Sequence, residues 1–392
     1  MGVPPWGDSL ALALAVTADT RRLHVGLIDP SGFSRPYDHE LARALAARGH
    51  EVTLWTASFV HGAAPQPEGY QVRELFYRRS NALSAPGSVR RVAKAGEHLL
   101  GLRELRPQLR AAHTDVVHVQ WSVLRSVERA YYRRLERTVP AVFTAHDPLP
   151  NAGGAAKRRS FAATARSFQR VIVHSEWGRQ ALVQQCGVAP ERVRVIPHGV
   201  FAHLAALPAV PPSVDPAGPL VLLPGIIRPY KGADVLLAAW RRVRAAVPQA
   251  ELCIAGRPMM DATTLDVDQP GVTLLPRYLD DAELAALMRR ADVVALPYRT
   301  IDNSGVVFAA LAMGAAVVMT DVGGFGELHR RDGVGLLAQP GDPGTLAEAL
   351  IRVLSDPAER DRLRAQSRAA ASQRLGWDDI AAATEAVYRE LL

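Results

Sequence analysis

The stretch D-N-S-G-V-V-F-A-A-L-A-M-G-A-A-V-V-M-T-D-V-G-G-F-G-E, residues 302–327, carries no charged residue between Asp302 and Asp321. Ser304-Gly305 opens an apolar helix, the run A-A-V-V-M-T (315–320) forms a strand, and a glycine pair follows. A helix apolar on every side is buried. A Ser cap leaves backbone N–H groups free in the first turn, Gly lets a ligand approach them, and the positive end of the helix dipole favours an anion there. Taken alone, the stretch is equally an ordinary Ser cap on a core helix.

The neighbouring sequence repeats the same grammar. Before the stretch come P-L-V-L-L-P (219–224), a helix from about 232 to 246, A-E-L-C-I-A-G (250–256), G-V-T-L-L-P (271–276), a helix at 280–290 and A-D-V-V-A-L-P (291–297). The N-terminal half does likewise, with strands at Leu23–Asp29, Glu51–Thr56, 115–119, 141–145, 170–174 and 192–196 and a helix over Tyr37–Arg48. Near-continuous apolar strands separated by helices imply parallel sheets covered on both faces. Residues 205–219 contain five prolines and read as a linker. The expected architecture is α/β, two doubly wound Rossmann-like domains facing across a cleft. An N-terminal domain spans 20–204, the linker 205–219, a second domain 220–375, and a C-terminal helix 376–392. Ligands of such sheets sit beyond the carboxyl ends of the strands.

After the strand ending at Pro224, G-I-I-R-P-Y-K-G places Arg228 and Lys231 on a short loop before a helix. Two cations three apart between glycines can converge on one anion, Arg with two N–H groups. Paired with the Ser304-Gly305-Val306 amides, they describe a diphosphate site.

At this point the second half resembles the nucleotide-sugar domain of GT-B fold glycosyltransferases of the large retaining family 4. The matching text is L-L-P-G-I-I-R-P-Y-K-G-A-D-V-L-L-A-A-W, E-L-C-I-A-G-R-P, A-D-V-V-A-L-P-Y, S-G-V-V-F-A-A-L-A-M-G-A-A-V-V-M-T-D-V-G-G-F-G-E-L and D-G-V-G-L-L-A-Q-P-G-D. The first half adds D-P-S-G-F-S-R-P-Y-D, A-R-A-L-A-A-R-G-H-E-V-T-L, V-H-S-E-W and V-I-P-H-G-V, and the tail G-W-D-D-I-A-A-A-T-E-A-V-Y-R-E-L-L resembles the family's returning helix. The resemblance implies a nucleotide-diphosphate-sugar donor on the second domain and an acceptor on the first, with no metal and no other cofactor. It implies that Arg228 and Lys231 hold the diphosphate and stabilise the leaving nucleotide. Ser304, Gly305 and Val306 would meet phosphate through N–H groups, and Gly32 would bring the first loop close to the donor. Many members carry two glutamates eight positions apart; here Ile301 and Ala309 stand at those places, as in an S-G subgroup. Donor-sugar and ribose contacts are both put in question by that loss.

Among the remaining candidates, His146 in T-A-H-D-P can hydrogen-bond a sugar hydroxyl, and the resemblance favours that role over a structural His-Asp turn. Asp147 can hold His146 or meet the acceptor. His118 in V-H-V-Q-W either sits in the core or lines the cleft, while His174 reads as structural. Tyr37 and Asp38 could cap the first helix or touch the acceptor, with capping favoured for Asp38, and Glu327 in G-G-F-G-E could reach the donor sugar because the glycines let the backbone curl.

Composition sets the wider limits. The chain has 392 residues, 48% hydrophobic and 22% charged, which is a globular protein too long for one core. Cys186 and Cys253 are far apart in sequence and read as buried thiols of a reducing compartment. The apolar run Leu10–Val16 lacks a basic leader and reads as a loose extension, so a cytoplasmic protein is expected. Residues 1–210 hold 27 Lys/Arg against 16 Asp/Glu, whereas 211–392 hold 19 against 23. The densest part, 73–110, is either a solvated helical face or a docking surface for an anionic membrane or charged acceptor. No nucleic-acid motif accompanies it. A G-x-S-x-G elbow, H-E-x-x-H, a Cys cluster and G-x-G-x-x-G after a strand are all absent, which removes serine hydrolase, zinc and nicotinamide chemistry from the reading. The activity expected is transfer of a sugar to a small-molecule, glycan or lipid-linked acceptor. The alternatives are a non-catalytic nucleotide-sugar-binding partner of an active transferase, or a GT-B phosphorylase or epimerase.

Overall fold

The computed structural model describes residues 21–60, 64–83, 86–149 and 154–392; the run Leu10–Val16 lies outside them. The chain divides into two compact units. One contains the described residues up to Pro197 together with Trp377–Leu392, and the other is His198–Gly376.

The first unit is built on a seven-stranded parallel sheet: β1 (His24–Asp29), β2 (Glu51–Ala57), β3 (Gln71–Phe76), β4 (Val116–Val119), β5 (Ala141–Thr144), β6 (Arg170–Val173) and β7 (Val193–Val195), in the order β3-β2-β1-β4-β5-β6-β7. Its helices are α1 (Arg35–Ala47), α2 (Gly87–Ala111), α3 (Arg125–Leu135), α4 (Gly154–Ala165) and α5 (Glu176–Cys186). Strand order reverses between β1 and β4, the point at which such sheets open a crevice. β4 and β5 are buried at every position, which is why they read as plain apolar runs. β3 gave no such signal. It is an edge strand paired to β2 alone, and Gln71, Arg73 and Glu74 face solvent. Of the arginine-rich stretch 73–110, Arg73 lies on β3 and Arg78 and Arg79 in the turn after it; the rest is on the 25-residue helix α2, which continues through Pro107.

The second unit carries a six-stranded parallel sheet of β8 (Leu220–Pro224), β9 (Glu251–Ala255), β10 (Val272–Leu275), β11 (Val293–Leu296), β12 (Val317–Thr320) and β13 (Leu336–Ala338), ordered β10-β9-β8-β11-β12-β13. The helices are α6 (Ala202–Ala206), α7 (Ala233–Ala246), α8 (Asp281–Arg290), α9 (Gly305–Ala312), α10 (Gly323–Asp332), α11 (Pro343–Ser355) and α12 (Pro357–Ser372). Here the order reverses between β8 and β11.

The proline-rich residues 205–219 are held along this second unit. Arg289 donates to the carbonyls of Leu204, Ala205 and Leu207, the last at 2.8 Å. Arg290 pairs with Asp215 at 2.6 Å and donates to Pro216 and Gly218 carbonyls. Prolines offer no N–H, so the segment makes no ladder of its own, and its free carbonyls are what two adjacent arginines can hold.

The last helix, α13 (Trp377–Arg389), packs on α1 within the first unit. Glu385 receives Arg48 and Arg389 at 2.7 Å each and lies 3.2 Å from His50. Burial alone would raise its pKa, but these donors hold it down at about 2.

Candidate active site

The two basic and amide-rich segments of the second unit leave adjacent strands on either side of the β8/β11 reversal. From β8 the chain runs through Gly225 to Arg228, Pro229, Tyr230 and Lys231. From β11 it runs through Pro297, Tyr298 and Arg299 to Ser304. Arg299 ties the loops together. Its guanidinium grips Asp234 with two bonds of 2.7 and 2.6 Å and the Pro229 carbonyl at 3.0 Å, while its N–H donates to the Tyr230 carbonyl at 2.7 Å. Gly232 completes the fit: its φ is +69°, and a Cβ there would stand 2.0 Å from the Pro297 carbonyl oxygen, so no other residue lets the loops close.

Lys231 and the start of α9 converge on the space above Gly225. A Cβ built on Gly225 would lie 3.2 Å from Lys231 Nζ and 3.1 Å from Val306 Cγ2. The ammonium also sits 5.2 Å above the Tyr298 ring. Lys231 is 8% exposed, and burial pushes its ammonium down to about 8; Tyr230 opposes this and Arg228 adds to it. Arg228 is half-buried. Ser304 caps α9, its Oγ accepting the Val306 N–H at 3.4 Å and lying 3.4 Å from Tyr298 Oη. Gly305 packs under Phe201, whose ring would be 3.1 Å from a Cβ. His198 stacks on Phe308 at 4.2 Å, a contact that fixes the helix from the V-I-P-H-G-V side and that composition did not single out.

The helix is uncharged because it is core: Val307, Phe308, Ala309, Ala310 and Leu311 are all buried. Ala309, in the place of a family glutamate, is 2% exposed, and Ile301 is half-buried. Asp302 is 4% exposed, tucked under α10, where its carbonyl accepts the Gly324 N–H at 2.7 Å. Glu327 lies on α10, half-buried, and its charge acts on Arg331 one turn on.

In the first unit, the candidates gather at the β1/β4 reversal and along the neighbouring strand ends. The loop after β1 turns on Asp29, which is fully buried and accepts from Ser31 N and Oγ (3.0 and 2.7 Å) and from Ser34 N and Oγ (3.1 and 3.3 Å). Gly32 sits inside this turn, its N–H on the Asp29 carbonyl at 3.2 Å. Trp121, after β4, reaches across to donate to Ser34 Oγ at 2.9 Å and stacks on His146 at 5.3 Å. Tyr37 is 3% exposed, edge-on to His146 and Trp377, and its phenol is kept protonated by burial and by Asp38. Asp38 is fully buried; burial and the Asp29 carboxylate raise its pKa well above the usual range. No side-chain cap bond forms at the start of α1, so Asp38 does not cap it and instead lies buried against Asp29 and the Ser34 hydroxyl.

His146 has both ring nitrogens engaged, Nε2 on Gln120 Oε1 at 2.9 Å and Nδ1 on His174 Nε2 at 3.1 Å. Asp147 is half-buried; burial raises its pKa against the pull of Lys157 and Arg125. Of the two places open to His118, the structure gives the core: it is 1% exposed, bonded to Tyr388 Oη (2.7 Å) and Thr144 Oγ1 (2.6 Å), and burial drives it down to about 3. It does not line a surface. Sequence reading missed Gln120, Trp121 and Arg299. Only their positions just beyond strand ends could have marked them.

Residues 218–356 match the family model described as Glycosyl transferases group 1, and residues 37–202 match that of Glycosyltransferase Family 4. The chain is 28% identical over 380 residues to a glycogen synthase of Mycobacterium tuberculosis, covering 89% of each chain. It is 29% identical to a D-inositol 3-phosphate glycosyltransferase of Jonesia denitrificans, covering 91% of each. Among solved structures, sucrose-phosphate synthase from Thermosynechococcus elongatus superposes with a TM-score of 0.70 at 21% identity, covering 94% of this chain and 99% of the other. Each α/β unit is thus accounted for by a glycosyltransferase model of its own, the fold is GT-B, and the protein is a glycosyltransferase belonging to the group 1/family 4 enzymes.

Proposed function

We propose that the chain transfers a sugar, with retention at the anomeric carbon, from a nucleotide-diphosphate-sugar held by the second unit to an acceptor held by the first. The observation that carries this is that the buried Lys231 ammonium and Val306, in the first turn of α9, both stand over Gly225. Arg228 and Lys231 would take the diphosphate oxygens, and the Ser304, Gly305 and Val306 amides would take the rest. As the anomeric C–O bond breaks, negative charge grows on the departing diphosphate, where those cations and N–H groups would meet it; the acceptor oxygen bonds to the anomeric carbon and its proton leaves with the nucleotide. The ribose and sugar contacts that glutamates supply in many relatives are replaced here by apolar side chains, so affinity would rest more heavily on the diphosphate. Gly32 would approach the donor, Glu327 its sugar, and His146, Asp147 and Tyr37 would serve the first unit's substrate. No other cofactor is needed for this chemistry.

A thermal-shift screen against UDP-, GDP-, ADP- and dTDP-sugars tests the reading. One nucleotide series should raise the melting point, by an amount equivalent to ~2.7 kcal/mol at a hundred times Kd. No shift with any of them, at millimolar ligand, refutes it.

A membrane-associated acceptor is favoured by one further feature. On α2, Val89, Val92, Leu99 and Leu100 are 47–73% exposed among the exposed Arg90, Arg91, Arg103 and Arg110. Exposed apolar side chains interleaved with arginines suit an anionic lipid surface better than plain water. Among the described residues no helix is long and apolar enough to cross a membrane. Co-sedimentation with phosphatidylglycerol vesicles at low salt should be strong, and Arg90→Glu/Arg91→Glu should weaken it at least tenfold. Absence of binding at low ionic strength rejects this surface.

A further inference from the structure

A hydrogen-bonded chain crosses the carboxyl ends of four adjacent strands of the first unit, one residue from each: Gln120 after β4, His146 after β5, His174 after β6 and Ile196 after β7. The separations are 2.9 Å for Gln120 to His146, 3.1 Å for His146 to His174, and 3.0 Å for His174 Nδ1 to the Ile196 carbonyl. A carbonyl only accepts, so His174 carries its proton on Nδ1. His174 is buried, which drives its pKa down to about 4 against the opposing Ile196 bond, so the ring is neutral and its Nε2 is an acceptor. His146 must therefore donate from Nδ1. A neutral His146 then has only a lone pair at Nε2, and a lone pair cannot face a carbonyl oxygen. The Gln120 amide is fully buried, and with its oxygen toward His146 its nitrogen has no hydrogen-bond partner. The conflict at His146 vanishes when the amide is turned, so that its NH2 donates to His146 Nε2.

We propose that Gln120 is a positioning residue for His146: its NH2 donates to Nε2 of the neutral ring and holds the place that a substrate hydroxyl takes. The His174–Ile196 end of the chain fixes the tautomer, and Gln120 keeps the Nε2 lone pair facing a donor. Protonation of His146 reverses the amide, since the imidazolium needs the carbonyl oxygen there. Tyr37 from α1 and His118 from β4 are neutral, Asp38 is raised by burial and Asp29, and Asp147, the chain neighbour of His146, is countered by Lys157 and Arg125. The substrate part of this inference rests on the transferase reading above; the proton assignment does not.

The test is 15N-resolved NMR of the His146 ring in the ligand-free full chain, with kcat/KM against pH. Wild type should show the Nδ1–H tautomer at neutral pH. Gln120→Glu offers only an acceptor, so it should raise the His146 midpoint by about 1–3 pH units and carry the acid limb of kcat/KM with it. Gln120→Met should leave the tautomer in place and raise KM more than it lowers kcat. An Nε2–H tautomer in wild type, or a His146 midpoint unmoved by Gln120→Glu, overturns the proposal. If wild type transfers no sugar from any donor, the transferase reading fails instead, and the NMR result still decides the proton assignment.

Discussion

Lys231→Met is expected to cut sugar transfer by about 100-fold or more while leaving the protein as stable as before, or more so. The activity loss follows from removing a cation placed where leaving-group charge develops, the size typical of one lost transition-state contact. The stability effect follows from the same burial. Lys231 titrates at about 8 in the fold against 10.5 for a free lysine. Below pH 8 both folded and unfolded chains carry the proton, so the folded chain bears the full cost of a buried charge, on the order of 3 kcal/mol. Between 8 and 10.5 the folded chain has released the proton and the unfolded chain has not, so stability rises with pH. Methionine fills the space without the charge. The same titration sets an alkaline limit on catalysis: the cation is present below about 8 and lost above it, so kcat/KM for the free enzyme should fall on that side. Arg228→Ala should show a comparable loss of turnover. Near wild-type rates in both variants would remove the diphosphate assignment, and a fall in melting point for Lys231→Met would show that the ammonium is satisfied by the fold itself.

The parts of this site that were legible in sequence are those held by local backbone requirements. R-P-Y-K-G and S-G-V-V each combine a strand end, a glycine and a helix start, and those constraints are written within eight residues. What joins them was not legible. Arg299 is an ordinary exposed arginine until its fork is seen on Asp234 and the Pro229 carbonyl, 65 and 70 residues back in the chain. Gln120 and His146 are polar residues one strand-to-strand connection apart, and their pairing depends on register: His118 pairs with Val142, which aligns the ends of β4 and β5. β3 escaped because an edge strand has one paired side and needs no apolar run. The proline-rich segment reads as a tether because what fixes it, Arg289 and Arg290, lies on α8, more than seventy residues further on.

The absent glutamates acquire a physical reading as well. A carboxylate at position 309 would have to enter a helix whose second turn is fully packed, where Ala309 is joined by Phe308 under His198. Restoring it alone would bury an unpaired charge. The loss is therefore built into how this unit's core is packed and is not a surface substitution that could be reversed singly.

Glu128→Ala should destabilise the protein by roughly 3–5 kcal/mol, because it removes one member of a buried polar chain and strands the others. Glu128 and His98 are both fully buried, 2.7 Å apart at Oε1 and Nε2. The Ser122 hydroxyl donates to the second carboxylate oxygen, and the Tyr77 hydroxyl donates to His98 Nδ1 at 2.8 Å. Tyr77 holds a left-handed backbone, φ +53°, which a bulky residue adopts only when its side chain is fixed elsewhere. The chain thus joins the β3–α2 connection, α2 and α3 through one carboxylate in the first turn of α3, where the helix dipole favours negative charge. With alanine there, His98 loses its buried carboxylate neighbour and the Ser122 hydroxyl loses its acceptor. Glu128→Gln keeps an acceptor toward His98 and should recover much of the loss. For the first unit's size, a loss of 3 kcal/mol lowers Tm by about 6–12 °C. A calorimetric or denaturant midpoint within 2 °C of wild type (~1 kcal/mol or less) for Glu128→Ala would mean that water replaces the carboxylate and that the chain does not support α2.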